Sequence, residues 1–335
     1  MNVEKKIHRD AILMDATCPL ADYENYWKNW IRGGATVIAP TVNRPPELMY
    51  DTMRRLGKWF EKLRKNFDRL MLIERVSDIF EAKKQGKLGL IFHLQGTMPI
   101  EMNINHIEIY YRLGVRMIQL TYNVRDFVGD GCQERTDSGL SDFGIEVIEE
   151  MNRLGIVVDC AHTGHQTTLE AIKVSDKPVI ISHGNAFAVC ENSRNLPDKI
   201  IKAIAQKGGV IGINGFPGFV AKKKRPTLDD LINHVDYIAQ RVGIDHVSLG
   251  IDYFEGQAGV AQDDAAVALY EGLVEAGVWD PKDYPPPPWV YPKGIEMPER
   301  LPNLTAGLIR RGYSEEEVKK VLGLNLIRVF NEVWV

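Results

Sequence analysis

Cysteine is scarce in this chain. Only Cys18, Cys132, Cys160 and Cys190 occur among 335 residues, and no two of them form a CxxC pair. That spacing, at this size, argues against a disulfide framework, so free thiols in a cytoplasmic protein are the expectation. A net positive charge is lacking as well. A formal net charge of -4 leaves no basic field for nucleic acid. No run approaches the roughly 18 apolar residues that a membrane span needs. The start, Met1-Asn2-Val3-Glu4-Lys5-Lys6, has no apolar stretch behind it of the kind a signal peptide carries. What remains is ordinary globular composition, 44% hydrophobic and 26% charged, with ample length for a large core.

Against that background eight apolar, β-rich runs stand out, at 11–16, 36–42, 88–95, 117–122, 156–162, 178–183, 210–214 and 246–252. Short continuous apolar runs suit strands covered on both faces. The segments between them carry helical patterning, as in 143–154, where Phe143, Val147, Ile148 and Met151 share one side, and in 198–206. Several helices exit through glycine, as at Gly114 and Gly155, which supplies a left-handed cap. Strand, helix, glycine, strand, repeated eight times, predicts a single-domain (β/α)8 TIM barrel of class α/β over residues 1–335. Beyond the eighth strand, 280–302 contains Pro285-Pro286-Pro287-Pro288 and reads as an ordered loop. An amphipathic C-terminal helix follows over 314–330, opened by Ser314 and Glu317 at capping-box spacing.

Active sites of such barrels collect at the carboxyl ends of the strands. The predicted strands end in Asp15, Asn43, His93 with Gln95, Tyr122 with Asn123, His162, His183, Asn214 and Asp252. His162 and His183 end consecutive strands, and histidine is the commonest metal ligand among side chains. A lone histidine is more often a hydrogen-bonded core residue. Two histidines and a carboxylate from three separate strand ends point instead to metal-assisted hydrolysis. His8, His106, His234 and His246 read as surface or structural residues, and His165 as a loop residue.

At these residues the chain resembles the membrane dipeptidase (renal dipeptidase) family of metallopeptidases, among the amidohydrolase-like barrels. The segments that carry the resemblance are Val158-Asp159-Cys160-Ala161-His162, Ser182-His183-Gly184-Asn185-Ala186, Ser193-Arg194-Asn195-Leu196 and Leu301-Pro302-Asn303-Leu304-Thr305. It implies a site in which His162 and His183 bind zinc, Arg194 grips the substrate carboxylate and Asp252 handles protons. An arginine suits a carboxylate because its planar fork makes two parallel hydrogen bonds. The resemblance also implies a homodimer.

The chain departs from the family where a second zinc would sit. Asp15-Ala16-Thr17-Cys18-Pro19 stands where the family has Asp-Gly-His-x-Asp, so Thr17 and Pro19 replace two ligands. Gln95 stands for the family's bridging glutamate, and Tyr122 for a histidine that contacts substrate. Two close cations need anionic donors, which these residues do not supply. Three readings remain open. One is a single zinc on His162 and His183, completed by His93, Gln95 or Cys18. Another is a metal-free pocket that binds a small carboxylate through Arg194. The third is isomerase- or lyase-type chemistry with Asp252 as acid/base and Tyr122 as hydroxyl donor. The first is the expectation adopted: a dipeptidase-like hydrolase of dipeptides or N-acyl amino acids, with no nucleic-acid or membrane partner.

Overall fold

The computed structural model describes residues 3–334. Its strands are β1 (Met14–Asp15), β2 (Val37–Ile38), β3 (Leu70–Leu72), β4 (Leu88–Leu90), β5 (Phe92–Gln95), β6 (Val115–Gln119), β7 (Val157–Asp159), β8 (Ile211–Ile213) and β9 (Val247–Leu249). Every pairing between them is parallel. They are short because each apolar run spends its last residues curving into the mouth, where backbone groups bond to side chains and loops.

The eight predicted runs form a ring. β1 pairs with β2 and β2 with β4, while β5 continues the same run as β4 and pairs with β6, which pairs with β7. Segment 178–183 forms no strand of its own, but it bridges β7 through Ile180 and β8 through Ile181. β8 pairs with β9. The ring closes where the Ala16 N–H donates to the Leu249 carbonyl at 3.0 Å and the Asp252 N–H to the Thr17 carbonyl at 3.2 Å. This is the expected TIM barrel with one addition. β3, which the sequence reading passed over, pairs with the first half of the run that β6 pairs in its second half.

Alternation along the strands divides the apolar residues in two. One set, with Leu13, Ile38, Leu90, Ile118 and Val158, belongs to the large core shared with the surrounding helices. The other set, with Met14, Val37, Ile91, Met117, Val157 and Ile180, clusters with Ile327, Phe330 and Val333 of the C-terminal helix Asn325–Val333. Asn325 and Arg328 of that helix donate to carbonyls at the amino ends of β8 and β9, so it covers the barrel's floor. The mouth at the carboxyl ends stays open for chemistry. The predicted continuous helix over 314–330 is broken instead into Glu315–Lys319, a widened turn Lys320–Leu324, and Asn325–Val333. Its amino end is the expected capping box of Ser314 and Glu317. The proline-rich loop gives way to helix Leu301–Arg311, with Pro302 in the first turn, where a missing N–H costs nothing. Gly114 and Gly155 have φ of 87° and 76°, the left-handed caps expected of them. No helix among the described residues is long and apolar enough to cross a membrane.

Candidate active site

His162 and His183 meet at the mouth, with their Nε2 atoms 2.8 Å apart. The remaining ring nitrogens decide what this means. His162 Nδ1 lies 2.6 Å from Asn123 Oδ1. The Asn123 amide hydrogens are spent on the Val278 carbonyl and the Tyr284 hydroxyl, so its oxygen accepts and His162 Nδ1 carries the proton. His183 Nδ1 lies 2.8 Å from Ser182 Oγ and 3.1 Å from Thr17 Oγ1. Ser182 donates its hydrogen to Asp159 and Thr17 to the Ala16 carbonyl, so both hydroxyl oxygens accept and His183 Nδ1 also carries the proton. Burial, reinforced by the Arg194 charge, holds both imidazoles well below their usual range. Two neutral rings therefore aim unprotonated Nε2 lone pairs at each other. That arrangement is repulsive without a cation bound beside both nitrogens, and it is the tautomer pair that imidazole ligands adopt when an outer hydrogen bond fixes the far nitrogen.

Beneath the pair, His93 Nε2 bonds Asp159 Oδ2 at 3.0 Å, and Asp159 accepts further bonds from Ser182 and from the Ala161 N–H. Burial works against the Asp159 carboxylate, yet the His93 bond and the nearby imidazoles hold it below the usual range. His93 is thus bonded to the carboxylate that braces His183 rather than standing beside the pair as a third donor. Its Nδ1 is buried without a partner.

Asp252 lies on the wall of an open cavity that also includes His162, Tyr122 and Gln95. Asn214 Nδ2 donates to Asp252 Oδ2 at 3.3 Å. Burial pushes the Asp252 carboxyl up to about 7, against the pull of Arg194. Both Asp252 and His162 sit at positive φ, 61° and 60°, in a backbone region that non-glycine residues seldom occupy. Tyr122 stacks on the His162 ring at 4.0 Å between centroids, and the Trp279 indole N–H donates to its hydroxyl at 3.4 Å. Burial keeps that hydroxyl protonated well past neutrality, so it is available as a donor. Arg194 is 3% exposed. Its Nε donates to the Tyr284 hydroxyl at 3.2 Å, while Nη2 has no partner.

Not every predicted ligand converges. Cys18 is fully buried in the large core, with its thiol directed to the Asp15 carbonyl. Burial and the Asp15 charge push that thiol well up, so it stays neutral, and it does not line the cavity. Thr17 hydrogen-bonds His183 instead of offering a second metal position, and the Gln95 side-chain amide oxygen accepts from Thr41 at 3.2 Å. Among the described residues no three His, Cys, Asp or Glu side chains form a metal cage. The donor set therefore does not fit a two-metal centre. The two Nε2 atoms can serve at most one ion, with one protein donor fewer than the three of an ordinary catalytic zinc site.

Residues without an assigned role in the sequence complete the site, among them the strand-end residue Asn123. Asn123, Asp159 and Ser182 brace the histidines. Trp279 and Tyr284, stacked at 4.2 Å, join Phe216, Phe219 and Phe254 in an aromatic wall. Trp27, Trp30 and Trp289 prove to be buried packing residues. The only signal for Trp279 and Tyr284 was their place just ahead of the proline run Pro285-Pro286-Pro287-Pro288, in a segment that reaches the mouth.

The profile of the membrane dipeptidase family (peptidase family M19) matches residues 22–279 and 288–334. Dipeptidase tcpJ of Claviceps purpurea is 28% identical over 288 residues, covering 85% of this chain and 60% of that protein. An uncharacterized dipeptidase of Schizosaccharomyces pombe is 29% identical over 296 residues, covering 86% and 64%. The chain thus spans less than two thirds of the length of these two relatives. Among solved structures, an amidohydrolase from Pseudomonas aeruginosa is 32% identical, with a TM-score of 0.87 and 99% of both chains covered. A metallopeptidase from Rhodobacter sphaeroides, bound to a phosphinate mimic of the dipeptide L-Ala-D-Ala, shares the fold at 19% identity, with a TM-score of 0.79 and coverage of 97% and 100%.

Proposed function

The chain belongs to the membrane dipeptidase family, peptidase family M19, and on that premise we propose that it is a cytoplasmic hydrolase that cleaves the amide of a small carboxylate-bearing substrate with one zinc ion. Members of this family are metallopeptidases, generally zinc-dependent. The observation that carries the reading is the pair of facing Nε2 lone pairs on His162 and His183, each ring fixed by a hydrogen bond at its far nitrogen.

When bound there, zinc would lower the pKa of a bound water towards about 7 and polarise the scissile carbonyl. The protein's own residues do the rest. Asp252, ionised above its pKa of about 7, accepts the proton of the attacking water and delivers it to the leaving amine. Arg194 holds the substrate carboxylate through Nη2, the guanidinium nitrogen left without a partner. Tyr122 presents its hydroxyl to the developing oxyanion. The wall of Phe216, Trp279 and Tyr284 keeps bulk water out, which strengthens each of these interactions.

One observation favours a second reading, a barrel that binds or transforms a small carboxylate without metal: only two ligand-type side chains converge among the described residues. Zinc titration with dipeptide turnover separates the two. Uptake of about one zinc with zinc-dependent release of free amino acids supports the hydrolase, and tight dipeptide binding without zinc uptake supports the alternative. One barrel domain, assembled as a homodimer, is the accompanying expectation, which sedimentation of the purified protein tests.

A further inference from the structure

The family profile covers residues 22–279 and resumes at 288. In the stretch it passes over, residues 280–284 are bound to the site by a set of hydrogen bonds. The Tyr284 hydroxyl accepts from Arg194 Nε at 3.2 Å and from Asn123 Nδ2 at 3.1 Å. One Asp283 carboxylate oxygen accepts from the Ser193 N–H at 3.2 Å, and the other from Gln133 Nε2 at 3.2 Å. The Asp283 carbonyl accepts from Asn192 Nδ2 at 2.9 Å, and the Asp280 N–H donates to Gln133 Oε1 at 3.3 Å. The loop that carries Arg194 is therefore held at three consecutive residues, Asn192, Ser193 and Arg194, by Asp283 and Tyr284.

Arg194 depends on such bonds for its direction. It comes from a loop, so no strand ladder orients it. A long side chain without a fixed partner samples many rotamers. Phe219 faces the guanidinium at 5.4 Å, which supports its flat face but does not choose an edge. Tyr284 chooses the edge. Its hydroxyl takes Nε, and Nη2 is left buried without a partner. A buried charged donor in that state is costly, and a ligand carboxylate can complete it. The same hydroxyl bonds Asn123, whose oxygen fixes His162 Nδ1. One oxygen atom thus ties Arg194 to the histidine pair. The ring that carries it is itself locked, stacked on Trp279 at 4.2 Å and edge-on to Phe219 at 5.3 Å.

From these features we propose that segment 280–284 is a strap that positions Arg194, with the Tyr284 hydroxyl as the group that keeps Nη2 free for an incoming carboxylate. This rests on the hydrolase reading for the role of Arg194. A wall residue and a positioning residue differ in what their loss does. Loss of a wall admits water and weakens all ligands alike. Loss of a positioning hydroxyl weakens only the ligands that carry the carboxylate.

The test compares two ligands that differ only at that carboxylate. Zinc-supplemented protein is titrated calorimetrically with a ketomethylene isostere of Ala-Ala and with the C-terminal primary amide of the same isostere. The titrations are repeated with two variants. Tyr284→Phe keeps the ring and removes the hydroxyl. Asp283→Asn loosens the Arg194 loop from outside the cavity wall. The wild type should bind the acid at least about tenfold more tightly than the amide, as expected for a hydrogen bond to a charged group. Tyr284→Phe should bring the two within about threefold, with Asp283→Asn in between, while affinity for the amide changes little. A ratio that stays unchanged or grows in Tyr284→Phe would overturn the proposal, and so would equal weakening of acid and amide. Should that variant fail to fold, an unchanged ratio in Asp283→Asn overturns it. Equal binding of acid and amide by the wild type would remove the clamp itself and the strap's role with it. Ala-Ala turnover is followed in parallel. A carboxylate preference that depends on Tyr284, without turnover, would count against the hydrolase reading and still support the strap.

Discussion

The two sides of the barrel mouth have fared differently. On the side of β7 and segment 178–183, both metal-type donors are present, and each is held from behind. Asn123 fixes His162, and Ser182 with Thr17 fixes His183, with Asp159 and His93 beneath them. On the side of β1 and β5, Thr17, Pro19 and Gln95 stand where ligands are expected. Thr17 and Gln95 are hydrogen-bonded into the surrounding structure rather than aimed at an ion. A residue can therefore change sides functionally: Thr17 no longer resembles a ligand, yet it braces His183. The contrast teaches that the orientation of a pair of ligand-type histidines depends on the groups behind them as much as on the histidines themselves.

The comparison can be broken at several points. The largest effect is expected from His183→Ala, which removes one of the two facing lone pairs and should reduce zinc-dependent dipeptide hydrolysis to background in a steady-state assay. Asp252→Asn comes next, with kcat falling about 10²–10⁴-fold as the proton acceptor is lost. The wild-type pH profile carries the same information. Asp252 is raised to about 7 and acts ionised, so kcat/KM should fall about tenfold per unit as pH drops below 7, and Asp252→Asn should flatten that limb. A profile flat between pH 5 and 7 would remove Asp252 from this role. Ser182→Ala leaves the ligands in place and cuts the link between Asp159 and His183. Chelator competition should show zinc affinity weakened about 10–100-fold, the usual cost of losing a group that orients a metal ligand. The smallest effect belongs to Cys18→Ala. Zinc affinity should stay within about twofold, with only about 1 kcal/mol lost in denaturant unfolding, because the thiol faces the core.

The fold was readable in the sequence because buried parallel strands leave unbroken apolar runs and glycine marks the helix exits. β3 escaped because Leu70-Met71-Leu72 is too short to stand out beside a strongly polar stretch. Segment 178–183 was placed correctly, though it contributes bridges rather than a regular strand. Within the site, His162, His183 and Asp252 were legible as polar residues ending apolar runs. Cys18 misled because sequence position fixes a strand end but not the direction of a side chain, and His93 because its partner, Asp159, lies 66 residues away. Trp279 and Tyr284 were invisible to strand-end logic, since they lie in the long excursion after β9 and act only once that excursion reaches the mouth.

The central claim is one metal ion held by two braced histidines. Elemental analysis of protein purified without a histidine tag, as wild type and as His162→Ala, tests it most directly. The account predicts about one zinc per chain in the wild type and none in the variant. No zinc in the wild type even after reconstitution, or about two per chain, would contradict it.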